Sequence, residues 1–195
     1  MITLICGPMY SGKSTALLQR MERSLYANRT IFVIRPQKDN RNYLTHNDKE
    51  DPITILNNKF SGKMLETREN EINDDVLELA RAFDEIFIDE YFMIKNCKRL
   101  FEIYKKNSLV KNIYFAGLLA SSENKLFNET IEILPYCDKI KKLNGVCTNC
   151  GSEEGNFSVY IGKTEKEGDI LVGDNDYVCR CFECMKDRKD DRVGN

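Results

Sequence analysis

The stretch ITLICGPMYSGKST, residues 2–15, decides the fold class of this chain. Its first five residues form a short apolar run typical of one buried strand, and helical spacing follows from about Ser14 to Ala27. Between them, GPMYSGKS satisfies the pattern G-x-x-x-x-G-K-[ST] in full. The glycines let backbone N–H groups approach phosphate oxygens, and the N-terminus of the following helix adds positive potential. The stretch therefore predicts a phosphate-binding loop, with Lys13 on the β- and γ-phosphates of a nucleotide and Ser14 on Mg²⁺.

Short apolar runs alternate with helical stretches through the first three quarters of the chain. Residues 31–34, 86–88 and 113–116 predict further buried strands, while residues 74–83 and roughly 95–105 predict helices. This alternation is typical of an α/β fold with a parallel sheet flanked by helices. The polar stretch from Gln37 to Asp51 reads as a loop.

Two carboxylates, Asp89 and Glu90, directly follow the apolar run 86–88. In proteins with a phosphate-binding loop, an acid at the end of such a strand completes the Mg²⁺ shell, and Asp89 is in the position to do so. Glu90 is then available to accept a proton from an attacking hydroxyl group or to orient a water molecule.

Eight cysteines occur in the chain, and five of them follow residue 146. Cys147 and Cys150 form one C-x-x-C pair, and Cys181 and Cys184 form a second, which together predict a structural four-thiolate zinc site. Cys179 lacks this spacing and is left out. Because the composition changes near residue 144, we expect a nucleotide-binding domain over 1–143 and a small zinc-ribbon-like subdomain over 144–195 whose C-terminal tail frays.

The composition is that of a globular protein, with 42% hydrophobic and 31% charged residues and a net charge of −2. No basic face for a nucleic acid is evident. The N-terminal apolar run is too short for a signal peptide or a membrane anchor, and no later run approaches the roughly 20 residues that span a bilayer. We therefore expect a cytoplasmic protein that binds neither nucleic acid nor a membrane.

Several of these motifs together resemble the type II thymidine kinase family, and the resemblance runs nearly the whole chain. It rests on GPMYSGKST at 7–15, Lys38-Asp39-Asn40-Arg41, the acid pair, Gly117-Leu118 with Phe127, and the segment 177–181. Tyr177 lies four residues before Cys181, which is the family spacing and favours Cys181 over Cys179 as a zinc ligand.

The resemblance implies transfer of the ATP γ-phosphoryl group to the 5′-hydroxyl of thymidine, which forms thymidine monophosphate for DNA synthesis by salvage. It implies Glu90 as the general base, Lys13 and Arg41 as stabilisers of the transferred group, and Ser14 and Asp89 as holders of Mg²⁺. The implied ATP-binding residues are Gly7, Pro8, Met9, Tyr10, Ser11, Gly12, Lys13, Ser14, Thr15 and Asp39. The family is commonly tetrameric, so the resemblance also implies a homo-oligomer.

The resemblance further implies a loop over 168–172 that closes on the base and contacts it largely through backbone groups. The implied nucleoside-contacting residues are Met9, Met93, Leu118, Ser122, Phe127, Ser158, Gly168, Asp169, Ile170, Leu171, Val172 and Tyr177. The same subdomain would carry both this loop and the zinc site.

The sequence departs from the family pattern around the expected base pocket. The family continues its acid pair as D-E-x-Q-F, whereas this chain has Tyr91-Phe92-Met93, and Ser122 stands where the family has phenylalanine. The alternatives are a kinase of another pyrimidine deoxynucleoside, one of broad acceptance, and a nucleotide-binding regulator that has lost the transfer reaction. A zinc-ribbon nucleic-acid binder and an ATPase motor are weaker interpretations.

Overall fold

The computed structural model of the chain describes residues 1–37, 51–106, 109–162 and 176–186. Among these residues, no helix combines the length and the apolar character that crossing a membrane requires.

Six parallel strands form the main sheet. Their bounds are β1 Ile2–Cys6, β2 Ile31–Pro36, β3 Met64–Glu69, β4 Glu85–Asp89, β5 Asn112–Gly117 and β6 Lys139–Lys142. The order across the sheet is β3-β2-β4-β5-β1-β6, and each of these neighbouring pairs runs parallel. Every residue of β1 and β4 is buried, as expected for strands covered on both faces. The parallel α/β architecture predicted from the sequence is confirmed.

Helices cover both faces of this sheet. Their bounds are α1 Lys13–Tyr26, α2 Pro52–Lys59, α3 Asp74–Ala80, α4 Leu100–Lys106 and α5 Asn128–Ile133. A sixth helix, α6 Phe182–Lys186, has no buried residue and belongs to neither face. On one face, α1 buries Leu17, Met21 and Leu25, a stripe with the four-residue spacing of one helix side. These residues share an apolar cluster with α2, while α3, α4 and α5 build a second cluster on the opposite face.

Three elements of the sheet layer are not predicted by the sequence pattern. Helix α2 begins where the side chain of Asp51 accepts a hydrogen bond from the N–H of Ile53 at 3.4 Å. Strand β3 follows it, and β6, with the sequence Lys-Ile-Lys-Lys, is exposed along its whole length at the sheet edge. Neither strand shows the continuous apolar run that marks β1 and β4, because β3 and β6 are the edge strands of the sheet.

The two predicted helices of the middle region exist with different bounds. The first ends at Ala80 rather than Phe83, and the second begins as a 3-10 turn over Cys97–Arg99 before α4 starts at Leu100. Glu129 accepts hydrogen bonds from the backbone N–H groups of Asn96 and Cys97 at 3.0 Å each, which fixes that turn.

A buried carboxylate closes the amino end of β4. Glu85 is fully buried and accepts hydrogen bonds from Arg20 at 3.2 Å, from Asn112 at 2.5 Å, and from Ser24 and Arg29. This network ties α1 to β4 and β5 at the end of the sheet opposite the phosphate-binding loop.

After the main sheet, the chain forms a small antiparallel hairpin of β7 Phe157–Tyr160 and β8 Tyr177–Arg180, followed by α6. Gly145 and Gly155 exchange two backbone hydrogen bonds of 2.9 Å at its base. A domain boundary at residue 144 stays a prediction.

Candidate functional site

The phosphate-binding loop joins β1 to α1, as the sequence predicts. Tyr10 and Gly12 both take left-handed conformations, with φ of 62° and 78°, and produce the turn that leads into the helix. A Cβ atom on Gly7 would lie 2.4 Å from the carbonyl oxygen of Leu143, so only glycine allows this close approach of two backbones. The local sequence therefore fixes the loop shape through two glycines with different tasks.

Lys13 folds back over this loop. Its side chain is only 8% exposed, and its ammonium group donates to the carbonyl oxygen of Pro8 at 2.7 Å. The hydroxyl of Ser11 donates to the same oxygen at 2.8 Å. The lysine charge is thus held inside the loop, where an anionic phosphate would meet it.

Ser14 and Asp89 lie side by side between α1 and the carboxyl end of β4. The Ser14 hydroxyl donates to Oδ1 of Asp89 at 3.4 Å, and Asp89 is 1% exposed. A hydroxyl and a carboxylate oxygen are ligands of the kind that Mg²⁺ prefers. The donor set and its position beside the loop fit Mg²⁺ held together with nucleotide phosphates.

The sheet register brings the acid pair to the same end of the sheet as the loop, the end where the strands terminate. On β5, Ala116 is the partner of Asp89 and the adjacent Gly117 is the partner of Cys6, which ends β1. Glu90 follows with φ 48° and ψ 44°, a left-handed conformation that costs a non-glycine residue roughly 1–2 kcal/mol. At this left-handed residue the backbone changes direction directly after Asp89, and no sequence pattern predicts the change.

Two aromatic rings pack together next to the acid pair. Phe92 stacks on Phe127 with ring centroids 4.6 Å apart and planes 23° apart. Leu118 and Met93 pack against the same apolar cluster, and Ser122 is buried nearby in the chain. Phe92, which occupies the position of the family glutamine, is itself buried in this cluster and stacks on Phe127.

Sequence reasoning missed Tyr91, which holds the segment with Leu118 in place. The buried Tyr91 hydroxyl donates to the carbonyl oxygen of Leu118 at 3.0 Å and lies 2.8 Å from the hydroxyl oxygen of Thr130. Thr130 in turn donates to the carbonyl oxygen of Leu119 at 3.0 Å. Burial raises the pKa of Tyr91, which keeps the hydroxyl protonated. A tyrosine beside the acid pair was the available signal, but its partners are far away in the sequence.

The four cysteines of the two C-x-x-C pairs lie together, as a metal site formed by them requires. The Sγ atoms of the four cysteines all lie within 4.8 Å of one another, and those of Cys150 and Cys181 are 3.7 Å apart. Two thiolates bound to one zinc ion at about 2.3 Å in a tetrahedron lie about 3.8 Å apart. These four residues, Cys147, Cys150, Cys181 and Cys184, are therefore suited to hold zinc.

Backbone groups already favour the thiolate form of one ligand. Burial opposes ionisation of Cys147, but backbone N–H groups of Cys181, Cys150 and Asn149 outweigh it and lower the pKa of this thiol to about 6. The Asn149 amide also lowers the pKa of Cys184, yet hydrogen bonds with the other cysteines prevail and raise it overall. One ligand of the cluster is thus favoured as a thiolate, the form of cysteine that binds a metal ion.

Comparison with known proteins identifies the family. The thymidine kinase family model matches residues 1–185. A thymidine kinase of vaccinia virus is 32% identical over 193 residues, covering 95% of this chain and 97% of that protein. The thymidine kinase of Amsacta moorei entomopoxvirus is 31% identical and covers 94% of this chain and 96% of its own. The chain belongs to the thymidine kinase family.

Relatives of this thymidine kinase family member extend to cellular organisms. Thymidine kinase 1 of Dictyostelium discoideum is 29% identical over 194 residues, covering 100% of this chain and 80% of that protein. The resemblance read from the motifs is therefore confirmed, as is its consequence that the chain is a kinase of this family.

Of the other site residues expected of a thymidine kinase, some lie outside the part of the chain that the structure describes and some lie inside it. Asp39 and Arg41, and the stretch Gly168, Asp169, Ile170, Leu171 and Val172, lie outside the described residues. Within the described part, Tyr177 packs edge-on against Tyr160, and Ser158 accepts a hydrogen bond from the Met9 N–H at 2.9 Å. Contact of these residues with a nucleoside stays a prediction.

Proposed function

We propose that this thymidine kinase family member transfers the γ-phosphoryl group of ATP to the 5′-hydroxyl of thymidine. The observation that carries the proposal is the Ser14–Asp89 pair beside the buried Lys13, at the sheet edge where Glu90 also lies. Transfer of a phosphoryl group depends on positioning and on charge stabilisation, and this arrangement supplies both.

Each residue of this edge has a distinct task. Ser14 and Asp89 would hold Mg²⁺, which neutralises phosphate charge when bound. Lys13, with Arg41 by family resemblance, stabilises charge on the transferred group. Glu90 accepts the proton of the 5′-hydroxyl as its oxygen bonds to phosphorus and the bond to the β-phosphate oxygen breaks.

The nucleoside would lie against Leu118, Phe127 and Met93, with Met9, Ser122, Ser158, Tyr177 and the 168–172 stretch completing the pocket by family resemblance. The Phe92–Phe127 stack keeps one ring plane fixed, which suits stacking of a pyrimidine base. The four cysteines would bind structural zinc, since four thiolates leave no open coordination position. The family resemblance also supports a homotetramer and a cytoplasmic location.

A second candidate is phosphorylation of another pyrimidine deoxynucleoside. The specific observation that favours it is the replacement of the family's Gln-Phe pair by Phe92-Met93, because a glutamine amide that could face a base edge becomes an apolar ring.

The experiment is an activity panel with Mg·ATP and thymidine, deoxyuridine, deoxycytidine or deoxyguanosine, with Glu90→Gln in parallel. Monophosphate formed from thymidine by the natural chain, and reduced by about 100-fold or more in the variant, is the expected result. Monophosphate formed from deoxycytidine alone would favour the second candidate, a kinase of another pyrimidine deoxynucleoside, over a thymidine kinase. ATP binding with no product from any nucleoside would overturn the proposed reaction.

A further inference from the structure

One peptide group of the phosphate-binding loop is held by the C-terminal part of the chain. The N–H of Met9 donates to Oγ of Ser158 at 2.9 Å, and Ser158 is 8% exposed. A Cβ atom on Gly145 would lie 3.4 Å from the Met9 carbonyl oxygen, so Gly145 packs against the next peptide group, between Met9 and Tyr10. Met9 is thus fixed from both sides by residues that follow the main sheet.

Met9 directly precedes the turn of the phosphate-binding loop, so its hydrogen bond to Ser158 can affect the shape of that turn. Residues 10 and 12 adopt the left-handed conformations that turn the chain into α1, and Lys13 and Ser14 come next. A peptide fixed at Met9 determines where that turn begins. The hydrogen bond therefore acts on the orientation of the N–H groups and the lysine that meet phosphate.

Ser158 is in turn tied to the cysteine cluster. It lies in β7 opposite Cys179 of β8, and Cys181 follows two residues later. The Cys179 sulfur fits between two glycines, since Cβ atoms on Gly145 and Gly155 would lie 2.7 and 2.5 Å from it. The N–H of Thr148, inside the first C-x-x-C pair, donates to the carbonyl oxygen of Cys179 at 2.9 Å. A continuous set of contacts thus joins the cluster to the loop.

We propose that Ser158 is a positioning residue that fixes the Met9 peptide and so couples the zinc-binding unit to the affinity of the loop for nucleotide. The inference rests on the proposed function only in taking ATP as the nucleotide. It assigns the Ser158 side chain to the phosphate-binding loop, whereas the family resemblance assigns it to the nucleoside.

The test compares two isosteric variants, Ser158→Thr and Ser158→Val, which share the added methyl group and differ in the acceptor oxygen. We expect Ser158→Thr to bind ADP as the natural chain does. We expect Ser158→Val to bind ADP about 3- to 10-fold more weakly, the loss of one ordinary hydrogen bond, in calorimetric titration. In activity assays, the KM for ATP of Ser158→Val should exceed that of Ser158→Thr by the same factor.

Ser152→Ala is the matched control, because its hydroxyl lies in the same unit and, among the described residues, accepts from the N–H of Glu154 at 3.2 Å rather than from the phosphate-binding loop. Equal ADP affinity for the Thr and Val variants would overturn the inference, even if both melt earlier than the natural chain. Since the ADP titration needs no acceptor, an enzyme that phosphorylates no nucleoside would refute the proposed function and still leave this inference testable.

Discussion

The hydroxyl of Ser14 donates to Oδ1 of Asp89 across 75 positions of sequence, at 3.4 Å. The two residues come from different motifs, the first from the start of α1 and the second from the end of β4. Their meeting turns two separate sequence signals into one candidate magnesium site.

Asp89→Asn should remove most of the transfer activity. The amide keeps the size of the side chain but loses the charge that a divalent cation requires, so we expect kcat to fall by about 100-fold or more. The measurement is the dependence of kcat on Mg²⁺ concentration. Asp84→Asn, at the opposite end of β4, is the matched control, because Asp84 pairs with Lys111 away from the loop. An Asp89→Asn enzyme with natural kcat would remove Asp89 from the site.

The choice between Cys179 and Cys181 as a zinc ligand can be measured directly. Cys181→Ala should abolish stoichiometric zinc in the purified protein, because only three thiolates would remain. Cys179→Ala should retain one zinc per chain, since its sulfur packs against Gly145 and Gly155 outside the cluster. Metal analysis by mass spectrometry distinguishes the two, and the opposite pattern would reverse the assignment.

Tyr91→Phe should weaken both the fold and the nucleoside pocket. The change leaves the Leu118 carbonyl oxygen without its buried donor, which costs about 1–2 kcal/mol in the free energy of unfolding. We expect the KM for the nucleoside to rise while that for ATP stays unchanged, because Leu118 is part of the nucleoside pocket proposed above. Chemical denaturation and steady-state kinetics check these outcomes.

Tyr136→Phe is the control for that change, because its ring packs on Phe101 near the surface and is 45% exposed. It should alter stability by no more than about 0.5 kcal/mol. Equal free energies of unfolding for the two variants would show that the hydrogen bonds of the Tyr91 hydroxyl do not stabilise the fold.

Glu85→Ala should destabilise the fold strongly. It leaves Arg20 and Arg29 without their shared buried partner, for an expected loss of about 2–3 kcal/mol. This is below the range for fully buried pairs because both arginines reach solvent. Glu22→Ala, which breaks the exposed pair with Lys59, should cost clearly less than Glu85→Ala in the same urea titration, because solvent screens an exposed pair. Similar losses for both would contradict a structural role for the buried network.

The parts of the fold that the sequence predicts are those with local signals. Strand β1, the phosphate-binding loop, α1 and β4 combine apolar runs with glycines and charges at fixed spacing, and the cysteine pairs do the same for zinc. Strand β6 could not be predicted, because three of its four residues are lysines whose strand state depends on pairing with β1. The contacts of Tyr91 with Leu118 and of Met9 with Ser158 depend on distant segments meeting, which no local pattern encodes.

The buried Glu85 network and the phosphate-binding loop occupy opposite ends of the same strands. Charges at one end are satisfied within the chain, and those at the other are arranged for ligands that arrive and leave. Better arginine–carboxylate geometry at the amino ends of these strands should therefore raise the free energy of unfolding without changing the rate of turnover. Thermal tolerance and catalytic rate should be separable traits in this enzyme, open to independent selection.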